Sequence, residues 1–211
     1  MMHNNWAQFW AQVAILVPVF LVSISFHEYA HALAATLLGD DTARKQGRLT
    51  LNPLAHVDLL GLVFLVLFSF GWANPVPFDY RNFKYPRLFA VMTALAGPLT
   101  NFILAFISLV IINHIPETIF APALYISVIQ ILQANAWVNI MLGVFNLLPI
   151  PPLDGSHVLS VFLINRFPTF VAMLYRYSLF ILLIVFMLPQ MRELLLTLII
   201  AVENVIKSLV F

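Results

Sequence analysis

The chain has 211 residues, of which 62% are hydrophobic and only 9% charged, where a soluble domain carries about 25% charged residues. So little charge cannot cover a water-exposed surface, which points to an integral membrane protein of a size that suits one domain. A net charge of +1 without a basic cluster gives no case for nucleic-acid binding, and zero cysteines exclude disulfides and thiolate metal sites. Any metal ligands must come from His, Asp or Glu.

Residues 6–38 read as the first membrane-spanning helix, with Trp6 and Trp10 at its interface and Pro18 as a point of kinking. The segment up to Ala43 contains no Lys or Arg, so the basic start of a cleaved signal peptide is missing and the helix is expected to be retained. Gly39-Asp40-Asp41 ends it. Arg44, Lys45 and Arg48 follow, and this excess of positive charge predicts a cytoplasmic loop over 40–58 and an external N-terminus.

Inside this helix stands His27-Glu28-Tyr29-Ala30-His31, an H-E-x-x-H pattern. At this chain's His and Glu frequencies it would arise by accident in roughly one sequence in 300 of this length. Residues four apart share a helix face, so His27 and His31 can offer both imidazoles to one metal ion. Glu28 lies beside them, placed to act as a base towards water. His31 falls about 12 Å from the cytoplasmic helix end, so the site is expected within the membrane but nearer that face.

Residues 47–58 are too polar to span, and Leu49-Thr50-Leu51 is expected as a short strand. Leu59 to Phe70 is apolar but well below the ~20 residues a crossing needs. Gly71 to Pro77 is rich in helix breakers, so 59–77 is expected as a re-entrant or membrane-edge element. Arg81, Lys84 and Arg87 mark the cytoplasmic side again. Leu88 to Asn113 is predicted as the second span, with close-packing residues in Gly97-Pro98-Leu99-Thr100-Asn101. Residues 114–121 form an external loop, and Pro122 to Phe145 returns as the third span.

Asn146-Leu147-Leu148-Pro149-Ile150-Pro151-Pro152-Leu153-Asp154-Gly155 follows, and its prolines, lacking N–H groups, must unwind the helix there. Asp154 comes next, near the depth of His31, where an ionisable residue is a functional candidate. Helical pattern resumes over 156–163. Beyond it, 170–188 reads as a span and 193–211 as either a span or an interfacial helix, with Glu203 and Lys207 four apart. The expected fold class is an all-α polytopic membrane protein in one domain over 1–211. It would have a three-helix catalytic core over about 6–165, a short cytoplasmic strand or re-entrant segment between the first two core helices, and peripheral C-terminal helices over about 170–211.

A catalytic zinc takes three protein ligands and keeps a fourth position open. With His27 and His31 as two, the candidates for the third are Asp154, His157, His56, Asp58 and His114. His114 falls on the external loop, at the wrong depth. His56 and Asp58 sit in the cytoplasmic loop, and His157 is one turn beyond Asp154, as a ligand or as a hydrogen-bond donor. Asp154 combines the right depth with a non-helical lead-in that can aim its carboxylate, and is expected to complete the set. Two imidazoles and a carboxylate favour zinc, one per chain. Such a metal would polarise a peptide carbonyl and lower the pKa of water from ~15.7 towards ~7. Glu28 would take the proton and pass it to the leaving amine. The unwound segment would present backbone to an extended substrate, with Asn146, Pro149 and Pro151 as candidate substrate contacts; the alternative for Asn146 is to cap its own helix.

These motifs together resemble the site-2 protease family of intramembrane zinc metalloproteases, in its compact form without PDZ or CBS domains. His27-Glu28-Tyr29-Ala30-His31 matches the family's metal motif, and the Asn146–Gly155 run matches its N-x-x-P-x-P-x-x-D-G pattern. Gly97-Pro98-Leu99-Thr100-Asn101 resembles the G-P-x-x-N element of its middle core helix, and Gly71 to Pro77 resembles the loop before that helix. The resemblance implies Asp154 as third ligand, Asn146 in substrate handling, and cleavage of membrane-embedded segments of other proteins, often regulatory ones. Expected partners are therefore membrane proteins with a transmembrane segment and the bilayer itself, in a prokaryotic cell membrane with the active site nearer the cytoplasm. Many family members carry a helix ahead of the motif helix, whereas the additional helices of this sequence lie after the core.

The competing reading is a membrane metal-binding or transport protein using His27, His31 and Asp154 without water activation. Against it stand the absence of an internal repeat and the position of Glu28, which suits a base better than a ligand. A helix-binding adaptor has no positive feature in its favour, and a purely structural role leaves four ionisable groups inside the membrane unexplained.

Overall fold

The computed structural model describes residues 3–68 and 73–211. Helix α1 (His3–Leu37) runs unbroken through Pro18. It stops at Gly39, whose φ of 106° suits glycine and strains other residues. The N–H groups of Gly39 and Asp40 turn back onto the carbonyls of Thr36 (3.2 Å) and Ala35 (2.9 Å), satisfying the helix end. After the single turn α2 (Thr42–Lys45) come α3 (Leu59–Phe68), α4 (Pro86–His114) and α5 (Pro122–Asn146). The C-terminal part holds α6 (Gly155–Leu163), α7 (Pro168–Arg176), α8 (Ser178–Met187) and α9 (Pro189–Val210). Both α4 and α5 begin on a proline, where a missing N–H costs nothing.

Three helices are long and apolar enough to cross a membrane: Trp6–Leu37, Pro86–His114 and Pro122–Asn146. The shortest has 25 residues, about 37 Å of helix, against a hydrocarbon core of ~30 Å. They pack side by side. Val19, Phe20 and Ile24 of α1 meet Val138 and Leu142 of α5, while Ala105 and Leu109 of α4 meet Ala136, Ile140 and Val144 of α5. Between α1 and α4 the buried residues are small, among them Ala35, Ala90 and Gly97, which lets the two backbones approach closely. Helix α1 thus starts before the expected first span and ends one residue short of it, the second and third spans extend by one or two residues at an end, and the three-helix core stands.

The segment between α1 and α4 departs from expectation. Leu49-Thr50-Leu51 is not a strand; among the described residues the β pairing consists of one isolated antiparallel bridge, Val57 to Ala73. The reason is local: the Thr50 carbonyl accepts from His56 Nε2 (2.7 Å) and its hydroxyl from the Asn52 N–H (3.2 Å), so no ladder can form. Leu59–Phe68 is a ten-residue helix, about 15 Å long and too short to cross, begun by Asp58, whose Oδ1 accepts from the Gly61 N–H (2.9 Å). Residues 69–72 of the expected re-entrant element lie outside the described residues. After Ala73 the chain has no helical or strand pairing until the short turn Tyr80–Asn82.

The C-terminal part also differs. The expected span over 170–188 is divided into α7 and α8, bent by 68°, where Arg176-Tyr177-Ser178 interrupts the apolar run. Helix α9 lies lengthwise on the core. Leu195 packs with Leu148 and Leu153 beyond the end of α5, and Ile199 and Ile206 pack on α4 and α5. Near its far end the Asn113 amide donates to the Val210 carbonyl (3.0 Å). It therefore covers the same depth as the core helices.

One buried carboxylate ties the loops together. Asp40 accepts from the Thr42 N–H (3.1 Å) and hydroxyl (2.5 Å), the Asp79 N–H (2.7 Å) and the Asn82 amide (2.7 Å). Burial alone would raise its pKa, but the bonds from Thr42, Asn82 and Asp79 outweigh it and hold the carboxyl below its usual value. Its folded pKa being depressed, its stabilisation is full above the unfolded value of about 3.9 and is lost as pH falls through the lowered one. Asp40→Ala is expected to destabilise the protein by about 2 kcal/mol at neutral pH. Thermal unfolding in detergent should show a lower Tm, and the gap to wild type should shrink as the pH drops below about 4.

Candidate metal centre

His27 and His31 share one face of α1, are 2% and 6% exposed, and bring their Nε2 atoms to 3.0 Å. Asp154 approaches from another element. Helix α5 unwinds after Asn146, the loop is held by buried Leu148 and Leu153, and Asp154 stands at the start of α6. A Cβ on Gly155 would run into the Leu147 and Leu148 carbonyls, so glycine lets the loop close this tightly. The outcome is an Asp154 Oδ2 that lies 3.2 Å from both His27 Nε2 and His31 Nε2.

The donor set fits a cation. His31 Nδ1 faces the Thr93 carbonyl at 2.7 Å, a group that only accepts, so Nδ1 carries the proton and Nε2 offers a lone pair. His27 Nδ1 lies 2.5 Å from Asn101 Oδ1. Two imidazole lone pairs and a carboxylate then converge, and Asp154 Oδ2 is buried without a hydrogen-bond partner among the described residues. Such groups repel one another unless a positive ion sits among them. Ligands ~2.0–2.1 Å from a tetrahedral zinc lie about 3.3 Å apart, close to the separations of 3.0, 3.2 and 3.2 Å found here. Helix α4 closes the cluster at Gly97, where a Cβ would stand 2.7 Å from His27 Cε1 and overlap the His31 ring.

Glu28 is also buried, and its Oε2 accepts from the Val76 N–H (3.0 Å). Val76 belongs to a segment that Arg48 holds by donating to the Asn74 and Pro75 carbonyls. The other candidates stand apart from the cluster. His56 is buried and bonded to the Thr50 carbonyl, Asp58 begins α3, and His114 is exposed at the end of α4, bonded to Val110 O. His157 meets the Tyr80 hydroxyl through Nδ1 (2.9 Å) and the ring of Phe78. Asn146 turns its amide back onto Leu142 O (3.0 Å), the capping alternative. Pro149 is exposed and Pro151 buried.

Several participants were not singled out from sequence: the Thr93 carbonyl, the Val76 N–H, Asn139 and Ser23. A signal was there. Polar or small residues recur four apart within each core helix, as Ser23, His27 and His31, as Thr93, Gly97 and Asn101, and as Asn135 and Asn139. That spacing stacks them along one face of each helix.

Comparison with known proteins decides the family. The model of peptidase family M50 matches residues 112–186. Among the relatives that bear the name "Putative zinc metalloprotease" are one bacterial and one archaeal protein. YwhC of Bacillus subtilis is 44% identical over 69% of this chain and 67% of its own length; MJ0611 of Methanocaldococcus jannaschii is 31% identical over 68% and 72%. The chain belongs to peptidase family M50. A third relative, the zinc metalloprotease MJ0392 of the same archaeon, is 25% identical over 75% of this chain but only 36% of its own length. No solved structure matches the chain. With its His–His–Asp cluster and its apolar helices, this M50 member is a zinc-dependent peptidase and a multi-pass membrane protein.

Gly97→Ala is expected to weaken zinc binding by about 10- to 100-fold, as displaced ligand orientation does. Chelator competition on the purified protein checks it. Leu99→Ala, on the exposed side of the same helix, should leave the affinity unchanged.

Proposed function

We propose that this M50 peptidase hydrolyses peptide bonds within or beside the transmembrane segments of other membrane proteins, as a step of regulated intramembrane proteolysis. The observation that carries the reading is the burial of the His27, His31 and Asp154 cluster inside a bundle of three membrane-length helices. A soluble peptide has no ready path to such a site, whereas a segment already in the bilayer does. Arg44, Lys45 and Arg48 after α1, and Arg81, Lys84 and Arg87 before α4, favour the cytoplasm for the end of the bundle nearer the site. The bacterial and archaeal relatives support a prokaryotic cell membrane.

In this reading His27, His31 and Asp154 are the zinc ligands. Zinc held there supplies a Lewis acid for the scissile carbonyl and lowers the pKa of water. Glu28 takes a proton from the attacking water and returns it to the leaving amine. Its bond to the Val76 N–H fixes the carboxylate's orientation. The unwound stretch after α5 lies beside the ligands, so an extended substrate can pair with exposed backbone at Pro149. The Asn146 side-chain oxygen receives a substrate N–H, its amide being engaged with Leu142, and buried Pro151 shapes the loop. The chain forms one domain with α7 to α9 at the rim of the core. Membership in a peptidase family weighs against the transport alternative.

The test compares wild type with Glu28→Gln in detergent, measuring bound zinc and cleavage of a panel of single-span membrane proteins. About one zinc per chain is expected in both, with cleavage reduced by 10²–10⁴-fold in the variant. Equal cleavage by both proteins, or cutting that a chelator does not abolish, would refute the mechanism.

A further inference from the structure

Binding through Nε2 requires His27 to keep its ring proton on Nδ1. Asn101 secures this only if it presents its oxygen there, and an asparagine side chain can face either way. The choice is made further along the chain of contacts, at helix carbonyls, which only accept. Ser23 Oγ donates its one proton to Val19 O (2.8 Å), and Ser108 Oγ donates to Leu104 O (2.9 Å). The Ser108 oxygen therefore accepts from Asn135 Nδ2 (2.7 Å), which turns Asn135 Oδ1 towards Asn139.

Asn139 Nδ2 then meets three oxygens: Ser23 Oγ at 2.8 Å, the Asn135 carbonyl at 2.9 Å and Asn135 Oδ1 at 3.0 Å. A flipped Asn139 amide would set its oxygen against all three. Its Oδ1 must therefore face Asn101, where it accepts from Asn101 Nδ2 (2.7 Å), and the Asn101 oxygen is left for His27. Asn101 and Asn139 are both 0% exposed, so bulk water cannot satisfy a flipped amide. The bonds all run in one direction, so each polarises the next.

We infer that Asn139, supported by Asn135, Ser23 and Ser108, is a positioning residue that acts through Asn101 to lock His27 in its Nδ1–H tautomer and preset the site for metal. The inference rests on His27 being a ligand. Asn101 reaches the cluster through His27 Nδ1, while Asn139, Asn135, Ser23 and Ser108 act only through other members of the relay, which joins α1, α4 and α5.

Two readouts on the zinc-loaded protein in micelles test it: zinc affinity by chelator competition, and the downfield resonances of the two imidazole Nδ1 protons. Asn139→Leu is expected to weaken zinc binding about 10-fold and to shift the His27 proton. The His31 proton, bonded to the Thr93 carbonyl, should stay in place. Ser108→Ala, a change a helix interior tolerates, should give the same pattern in smaller measure. The relay is refuted if affinity and the His27 resonance are unchanged in both variants. It is equally refuted if both histidine resonances move together, which would mark general loosening. A folded wild type that binds no zinc would overturn the ligand assignment itself, and the relay with it.

Discussion

Two imidazole lone pairs and a carboxylate oxygen, held within 3.2 Å of one another inside a membrane bundle, are the constraint on which the rest of the structure depends. Bringing such groups out of water is unfavourable without a cation among them. Each is therefore fixed from behind: His31 by the Thr93 carbonyl, His27 by Asn101, and Asp154 by a loop that Gly155 allows to close. Helix α4 serves both histidines at once, and its Gly97 leaves them the room they need. A larger residue at that point would push α4 away and release both contacts together.

Loop anchoring extends the same logic outward. The chain between α3 and α4 is tied to Glu28 of α1 and to Asp40 and Arg48 in the loops that follow it, and to α6 through the Tyr80–His157 contact. The Tyr80 hydroxyl is buried enough for its pKa to be pushed up to about 12, with nearby Tyr175 adding to the shift, so it stays a neutral hydrogen-bonding group across the physiological range. Glu28 thus owes its orientation to a backbone N–H whose own position depends on two charged side chains of the flanking loops. The Glu28 carboxylate and the loops near it form one hydrogen-bonded unit, while α8 packs on the core through Leu182 and Phe186 and α7 is tied to α6 by the Tyr175 hydroxyl, which meets Ser156 and Ser160.

Sequence made the three core helices legible because a membrane demands unbroken apolar runs, and because Gly39 and the prolines at the starts of α4 and α5 punctuate them. His27, Glu28 and His31 were legible because the helix repeat alone places them together. Asp154 was harder, since its aim depends on how the irregular chain over 147–154 folds against α9 and α8. Leu49-Thr50-Leu51 misled because three residues of suitable type carry no information about a partner, and the Thr50 carbonyl is taken by His56. The bend at Tyr177 was hidden because no Pro or Gly marks it. His157 is settled by a distant partner, Tyr80, and His56 by the Thr50 carbonyl in its own loop, which no local pattern names.

The polar contacts that orient the ligands also specify the fold. Between helices in lipid the apolar driving force largely disappears, since a lipid tail is as apolar as a leucine, and packing and hydrogen bonds must select one arrangement. Sliding α4 past α1 by one residue would carry Thr93 and Asn101 off the histidines and turn Gly97 away from them. It would also leave the Asn139 side-chain oxygen without its donor, the Asn101 amide. An unsatisfied polar group in hydrocarbon costs several kcal/mol, more than apolar packing gained elsewhere along α4 can return. Helix register and ligand geometry are therefore set by the same few side chains, and the buried asparagines carry both.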